Sequence, residues 1–177
     1  MQSYMQRFIA LLLLLIILFG GLSYLYWHNS TRSTGPQIGD SIPVDSLLQD
    51  IHAKELSFQF LLIKFWGSWC SPCRREHPQW ISLYEAFQDV EQSRKVLAVI
   101  GVALESDSVS WKVALKRDQL PWDGHILQDR DLKAGWAGRI HIQGVPENLL
   151  IDSSGLVLGR NMDPDETERF LRHRLTK

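Results

Sequence analysis

The stretch Ser57–Trp66 most constrains what this chain can become. Phe58, Phe60, Leu61, Leu62, Ile63, Phe65 and Trp66 leave it almost no polar interruption. Strict alternation would signal a strand with one wet face, whereas a near-continuous run of this length predicts a strand buried on both faces. Gly67 and Ser68 break it, and beyond Cys70 the residues Trp80, Ile81, Leu83, Tyr84 and Phe87 recur at helical spacing. Pro72 falls in the first turn of that helix, where a missing N–H leaves nothing unpaired. A buried strand therefore runs into a helix, and Cys70 and Cys73 sit at the junction.

Downstream, a second buried strand is predicted over Val96–Leu104. Ser106 or Asp107 can cap a helix holding Trp111, Val113, Ala114 and Leu115. A short strand around His125–Leu127 and a helix from Asp131 to about Ile140 come next. Glu147–Asp152 and Leu156–Gly159 read as a hairpin turning at Asp152-Ser153-Ser154-Gly155. Asp163 then caps a last helix, with Pro164 at its first position and Phe170 and Leu171 inward. Parallel crossovers followed by an antiparallel hairpin make an α/β fold, a mixed central sheet flanked by helices.

The N-terminus is different in kind. Residues Phe8–Trp27 hold no charged side chain and include Leu11 to Leu15, Ile16, Ile17, Leu18 and Phe19. Twenty helical residues span about 30 Å, the thickness of a hydrocarbon core. A cleaved secretory signal is the competing reading, but its apolar region is shorter, about 7–15 residues, and ends in a small-residue site. This run is longer and leads into Tyr24, Tyr26 and Trp27, side chains that settle at a bilayer interface. The expectation is a tail and transmembrane anchor over 1–29, a tether over 30–37 and a folded domain over 38–177. The tether is rich in Ser, Thr, Arg, Gly and Pro. A short tail before the anchor fits a cytoplasmic N-terminus and an exported domain, placed at the cell's inner or cytoplasmic membrane and facing the periplasm or exterior. The two cysteines form one pair with no stray thiol, which suits an oxidising compartment. A net charge of −1 gives no reason to expect nucleic acid as partner.

A helix N-terminus carries unpaired N–H groups and partial positive charge, which stabilise a thiolate, and the thiolate is the attacking species in disulfide exchange. Two intervening residues bring the sulfurs within bridging range. Cys70, the first and more exposed, would attack a partner, and Cys73 would resolve the mixed disulfide. Arg74 and Arg75 add positive charge nearby. A static disulfide would not need this placement. Structural zinc takes four ligands, and Cys70, Cys73 and His77 supply three at most. Haem attachment would need His where Arg74 stands. No metal and no cofactor beyond the cysteine pair is expected.

The run FWGSWCSPCRREHP, residues 65–78, resembles the active-site signature of the thioredoxin superfamily. More narrowly it is similar to the TlpA-like branch of exported, often membrane-anchored thiol–disulfide oxidoreductases, which includes cytochrome c maturation reductases. Arg74, Glu76 and Pro78 fit that branch. IGDSIP at 38–43, GVPENLLID at 144–152 and the terminal hairpin and helix extend the likeness over the chain from Ile38 onward. The resemblance implies a thioredoxin fold and a thiol–disulfide oxidoreductase. Its partners would be protein substrates bearing disulfides or thiols and a membrane redox partner as electron donor. It also implies that Pro146 is a cis-proline beside the disulfide, that the Val145 backbone pairs with an extended substrate segment, and that Trp69 walls the groove.

Two departures from the family stand out. Lys64 occupies the place of a buried acid beneath the second cysteine, and either assists proton transfer at Cys73 or snorkels at the strand end, the latter favoured. Glu147 follows the proline, and either charges the groove or faces solvent. With Glu76 these are the candidate modulators. His77 is expected on a helix surface. Three other functions compete. A dithiol oxidant of the same fold stays open. A peroxidase lacks its Thr-Pro-preceded cysteine here, and a non-enzymatic binding module would not need both thiols.

Overall fold

The computed structural model describes residues 2–30, 35–50, 56–88, 90–91 and 94–176. Part of the expected tether, residues 31–34, lies outside them. The chain divides into two compact units, Met1–Thr34 and Gly35–Lys177.

The first unit is one helix, α1 (Gln2–Ser30). Its stretch Tyr4–Tyr26, 23 residues with mean hydropathy 2.7, is long and apolar enough to cross a membrane. Leucine and isoleucine are exposed on every side of it. A helix apolar all round gains nothing from water, and burial in lipid is one environment that satisfies it.

The second unit is a layered α/β fold. Its elements are α2 (Val44–Asp50), β1 (Phe58–Trp66), α3 (Ser71–Phe87), β2 (Val90–Glu91), β3 (Arg94–Leu104), α4 (Ser108–Asp118), β4 (Gly124–Gln128), α5 (Gly135–Arg139), β5 (Glu147–Asp152), β6 (Val157–Arg160) and α6 (Pro164–Leu175). The sheet runs β2-β3-β1-β5-β6, with β4 also paired to β3. The β1 strand lies at the centre, parallel to β3 and antiparallel to β5. That position explains its lack of polar residues. Leu61, Ile63 and Phe65 enter a core with Leu47 of α2 and Trp136 and Ala137 of α5. Phe60, Leu62 and Trp66 enter a second core with Trp80, Leu83 and Phe87 of α3, Ala114 of α4 and Leu171 of α6. Each such side chain contributes about 1.5–3 kcal/mol by leaving water. By the two-residue period of a strand, Lys64 shares the second face.

The local chemistry also sets the helix starts. Asp107 caps α4, its Oδ1 accepting the Val109 N–H at 2.9 Å, and Asp163 caps α6 by accepting the Glu166 N–H at 2.7 Å. The helix expected over Asp131–Ile140 is shorter, Gly135–Arg139. Gly135 has φ +52°, outside helical space, and Gln128 Oε1 of β4 accepts the N–H groups of Trp136 and Ala137 at 2.6 and 3.1 Å. Residues 131–134 form a turn instead. Val113 of α4 is exposed, and α2 and β2 have no counterpart in the sequence reading.

Candidate active site

Cys70 is the N-cap of the 17-residue helix α3. It is disulfide-bonded to Cys73, with Cα atoms 5.3 Å apart, and its sulfur accepts the Cys73 N–H at 3.3 Å. The expected difference in exposure is absent in this disulfide state, since Cys70 is 3% and Cys73 2% exposed. Bonded to each other, both sulfurs turn into the cluster of Trp66 and Trp80, with Val145 packed against it.

On one flank lies Trp69, 51% exposed, its indole N–H donating to the Leu104 carbonyl at 2.9 Å. Glu105, next along, is a buried carboxylate that sequence reasoning missed. It accepts from the Ser68 hydroxyl, from the Ser106 and Asp107 N–H groups at 3.1 and 3.3 Å, and from Arg130 at 2.8 Å. Burial pushes its pKa up, but the bonds from Ser68, Arg130 and the Asp107 N–H outweigh that and hold it below the ordinary value. A carboxylate just past the C-terminal end of a buried parallel strand was the available signal, because sites in α/β sheets gather there.

On the other flank, the Val145–Pro146 peptide bond is cis and Pro146 is exposed. A cleft of about 250 Å³ beside it is lined by Glu76, Gln79, Pro146, Asn148, Asn161 and Met162, among others. Lys64 is directly opposite Asn148 in the β1–β5 register. At 3% exposure it does not snorkel, because the central strand gives its stem no route to solvent. Its Nζ lies 3.8 Å from the centroid of the Trp80 ring, an ammonium-on-indole contact. Burial lowers its pKa from 10.5 to about 7, partly offset by attraction to Glu76. The Glu76 carboxylate accepts the Trp80 indole N–H at 3.4 Å.

Glu147 follows neither expectation. It is buried and ion-paired to Arg160, and it accepts the Gln143 N–H at 3.1 Å. Its charge is spent inside the domain, fastening β5 to β6. His77 is likewise buried rather than on the surface. It falls four residues after Cys73 and three before Trp80, so it shares their helix face. Its Nδ1 is 3.1 Å from Asp118, which also pairs with Arg74, and its ring meets Trp66 and Trp122 edge-on. Burial lowers its pKa to about 4 despite Asp118. Among the described residues, no three His, Cys, Asp or Glu side chains gather as metal ligands would.

This geometry matches known proteins. A family model described as thioredoxin-like covers residues 59–157, more than half of the chain. The thiol–disulfide oxidoreductase ResA of Geobacillus kaustophilus is 32% identical over 176 residues, covering 94% of this chain and 95% of that one. A thiol:disulfide interchange protein, a DsbE homologue from Paracoccus denitrificans, is 29% identical over 188 residues, covering 94% of each. Among solved structures, a thiol–disulfide oxidoreductase from Bacteroides fragilis superposes with a TM-score of 0.57 at 25% identity, over 66% of this chain and 81% of that one.

Proposed function

The chain belongs to the thioredoxin-like family and is a thiol–disulfide oxidoreductase, and from that premise we propose that it reduces or exchanges disulfides in exported proteins. Cys70 is the attacking sulfur and Cys73 the resolving one. The observation that carries this assignment is the position of Cys70 as N-cap of α3, where the helix N–H groups favour a thiolate.

The steps follow from thiolate chemistry. The Cys70 thiolate attacks one sulfur of the client disulfide, forming a mixed disulfide and releasing the other client sulfur as a thiolate. Cys73, deprotonated, then attacks the Cys70 sulfur. The Cys70–Cys73 bond closes and the second client sulfur leaves, so two electrons pass from the dithiol to the client. The client segment lies extended along the Val145 backbone and across Pro146, in the manner of an added strand, with Trp69 as the opposite wall. Lys64, whose amine titrates near neutrality, tunes the protonation of Cys73, and Glu76 biases Lys64 toward its charged form.

Helix α1 holds the domain at the cytoplasmic or inner membrane, residues 8–27 spanning it and the domain facing the periplasm or exterior. A membrane redox partner returns the pair to the dithiol. Apocytochrome c is a fitting client, given the likeness to cytochrome c maturation reductases.

Trapping tests the roles. In the Cys73→Ser chain, resolution is blocked, and disulfide-linked adducts on Cys70 are expected on non-reducing gels of membranes. Adducts that form in Cys70→Ser but not in Cys73→Ser would reverse the assignment, and none in either variant would remove it.

A further inference from the structure

The indole of Trp69 is half-exposed, yet three neighbours hold it. It folds back over Gly67, where an added Cβ would come within 2.6 Å of the indole nitrogen and push the indole aside. Its N–H is tied to Leu104. The guanidinium of Arg130 lies over the ring at 5.0 Å from its centroid. Arg130 in turn is anchored by one nitrogen to buried Glu105, which also grips Ser68 in the loop just before Cys70. An exposed aromatic that served only packing would not need both a fixed N–H and a guanidinium held over its ring.

The Arg130 side chain is itself 52% exposed. A guanidinium has five N–H donors in a rigid fork, and the bond to Glu105 engages one nitrogen, leaving the outer side of the fork toward solvent. Two carboxylates on the same rim are occupied close to home. Asp107 caps α4 through the Val109 N–H and the Ser110 hydroxyl, and Asp129 accepts from the Ser106 hydroxyl and the Asp131 N–H.

We infer that Arg130, held over Trp69 by Glu105, is a specificity residue: it makes the Trp69 wall a cationic shelf that prefers client segments carrying a carboxylate next to the reacting sulfur. This rests on the exchange chemistry proposed above. The indole supplies area for the client backbone, and the guanidinium supplies a planar, charge-assisted partner for Asp or Glu.

The test uses the reduced full chain in detergent micelles and two short peptides. Each carries one cysteine as its mixed disulfide with neutral 2-mercaptoethanol, and they differ only in Glu or Gln beside that cysteine. Release of the free peptide thiol is followed. The wild type is expected to reduce the Glu peptide about fivefold more efficiently, the size of one partly exposed charge pair. Arg130→Met should bring the ratio close to one, the Glu peptide losing more rate than the Gln peptide. Arg130→Lys, which keeps the charge but not the fork, should retain part of the preference. A wild-type ratio near one, or a ratio that survives in Arg130→Met, overturns the inference. Failure to reduce either peptide would instead sink the exchange chemistry, and the inference with it.

Discussion

On the Trp69 flank of the disulfide, Glu105 is a buried carboxylate surrounded by donors from Ser68, Ser106, Asp107 and Arg130. On the Pro146 flank, Lys64 is an equally buried amine resting on the face of Trp80, attracted by Glu76. Burial penalises both charges, but the outcomes diverge. Hydrogen bonds overturn the penalty for Glu105, which stays ionised across the neutral range and fixes the shape of its surroundings. Nothing comparable offsets it for Lys64, so its amine titrates where exchange chemistry operates. One flank is built to hold a geometry and the other to change its charge.

The largest effect expected on this comparison comes from removing what the flanks serve. Cys70→Ser should reduce exchange to background in a disulfide-reduction assay with fold and melting retained, whereas residual turnover would place the attacking thiolate elsewhere.

Next comes Lys64→Met. Unfolded, the amine titrates near 10.5, and folded it titrates at about 7. Between those values the unfolded chain holds the extra proton, so stability rises with pH across that window. The variant lacks this slope. It should be more stable than wild type by about 5 kcal/mol below pH 7, the gain fading toward pH 10.5, as read by urea unfolding. Parallel pH dependences for the two chains would show that Lys64 is paired after all.

Glu105→Gln should cost about 1–3 kcal/mol near neutral pH, the range for disrupting a buried hydrogen-bonded charge. Because the folded pKa of Glu105 is depressed, this stabilisation is present above the ordinary carboxylate value and lost as pH falls from there through the lower folded value, so the variant and wild type should converge in acid. A constant difference down to low pH would point to packing rather than charge. The smallest effect belongs to Gly67→Ala. It should displace the Trp69 indole at about 1 kcal/mol, visible as altered indole emission. Unchanged emission would free Trp69 from the clamp.

Most of the fold was readable because the strongest signals are local. The unbroken run of β1 reports a strand between two parallel or antiparallel neighbours, and Asp107, Asp163 and Pro164 announce their helices by capping chemistry. The α5 error has a tertiary cause, since Gln128 on β4 supplies the cap that no local residue offers. The site divides in the same way. Cys70 and Cys73 are visible from spacing alone. The settings of Lys64, His77 and Glu147 depend on partners far along the chain, such as Asp118 for His77 and Arg160 for Glu147. Residue type and spacing say that a charge is present, but only packing decides whether it is paired, snorkels or is left to titrate.

The central claim is that the Cys70–Cys73 pair gives electrons to clients, and the reduction potential of the full chain in micelles tests it most directly, by equilibration with dithiothreitol or glutathione. A value toward that of thioredoxin, about −270 mV, is expected. A value toward that of a strong oxidant such as DsbA, about −120 mV, would reverse the direction and make the protein a disulfide donor.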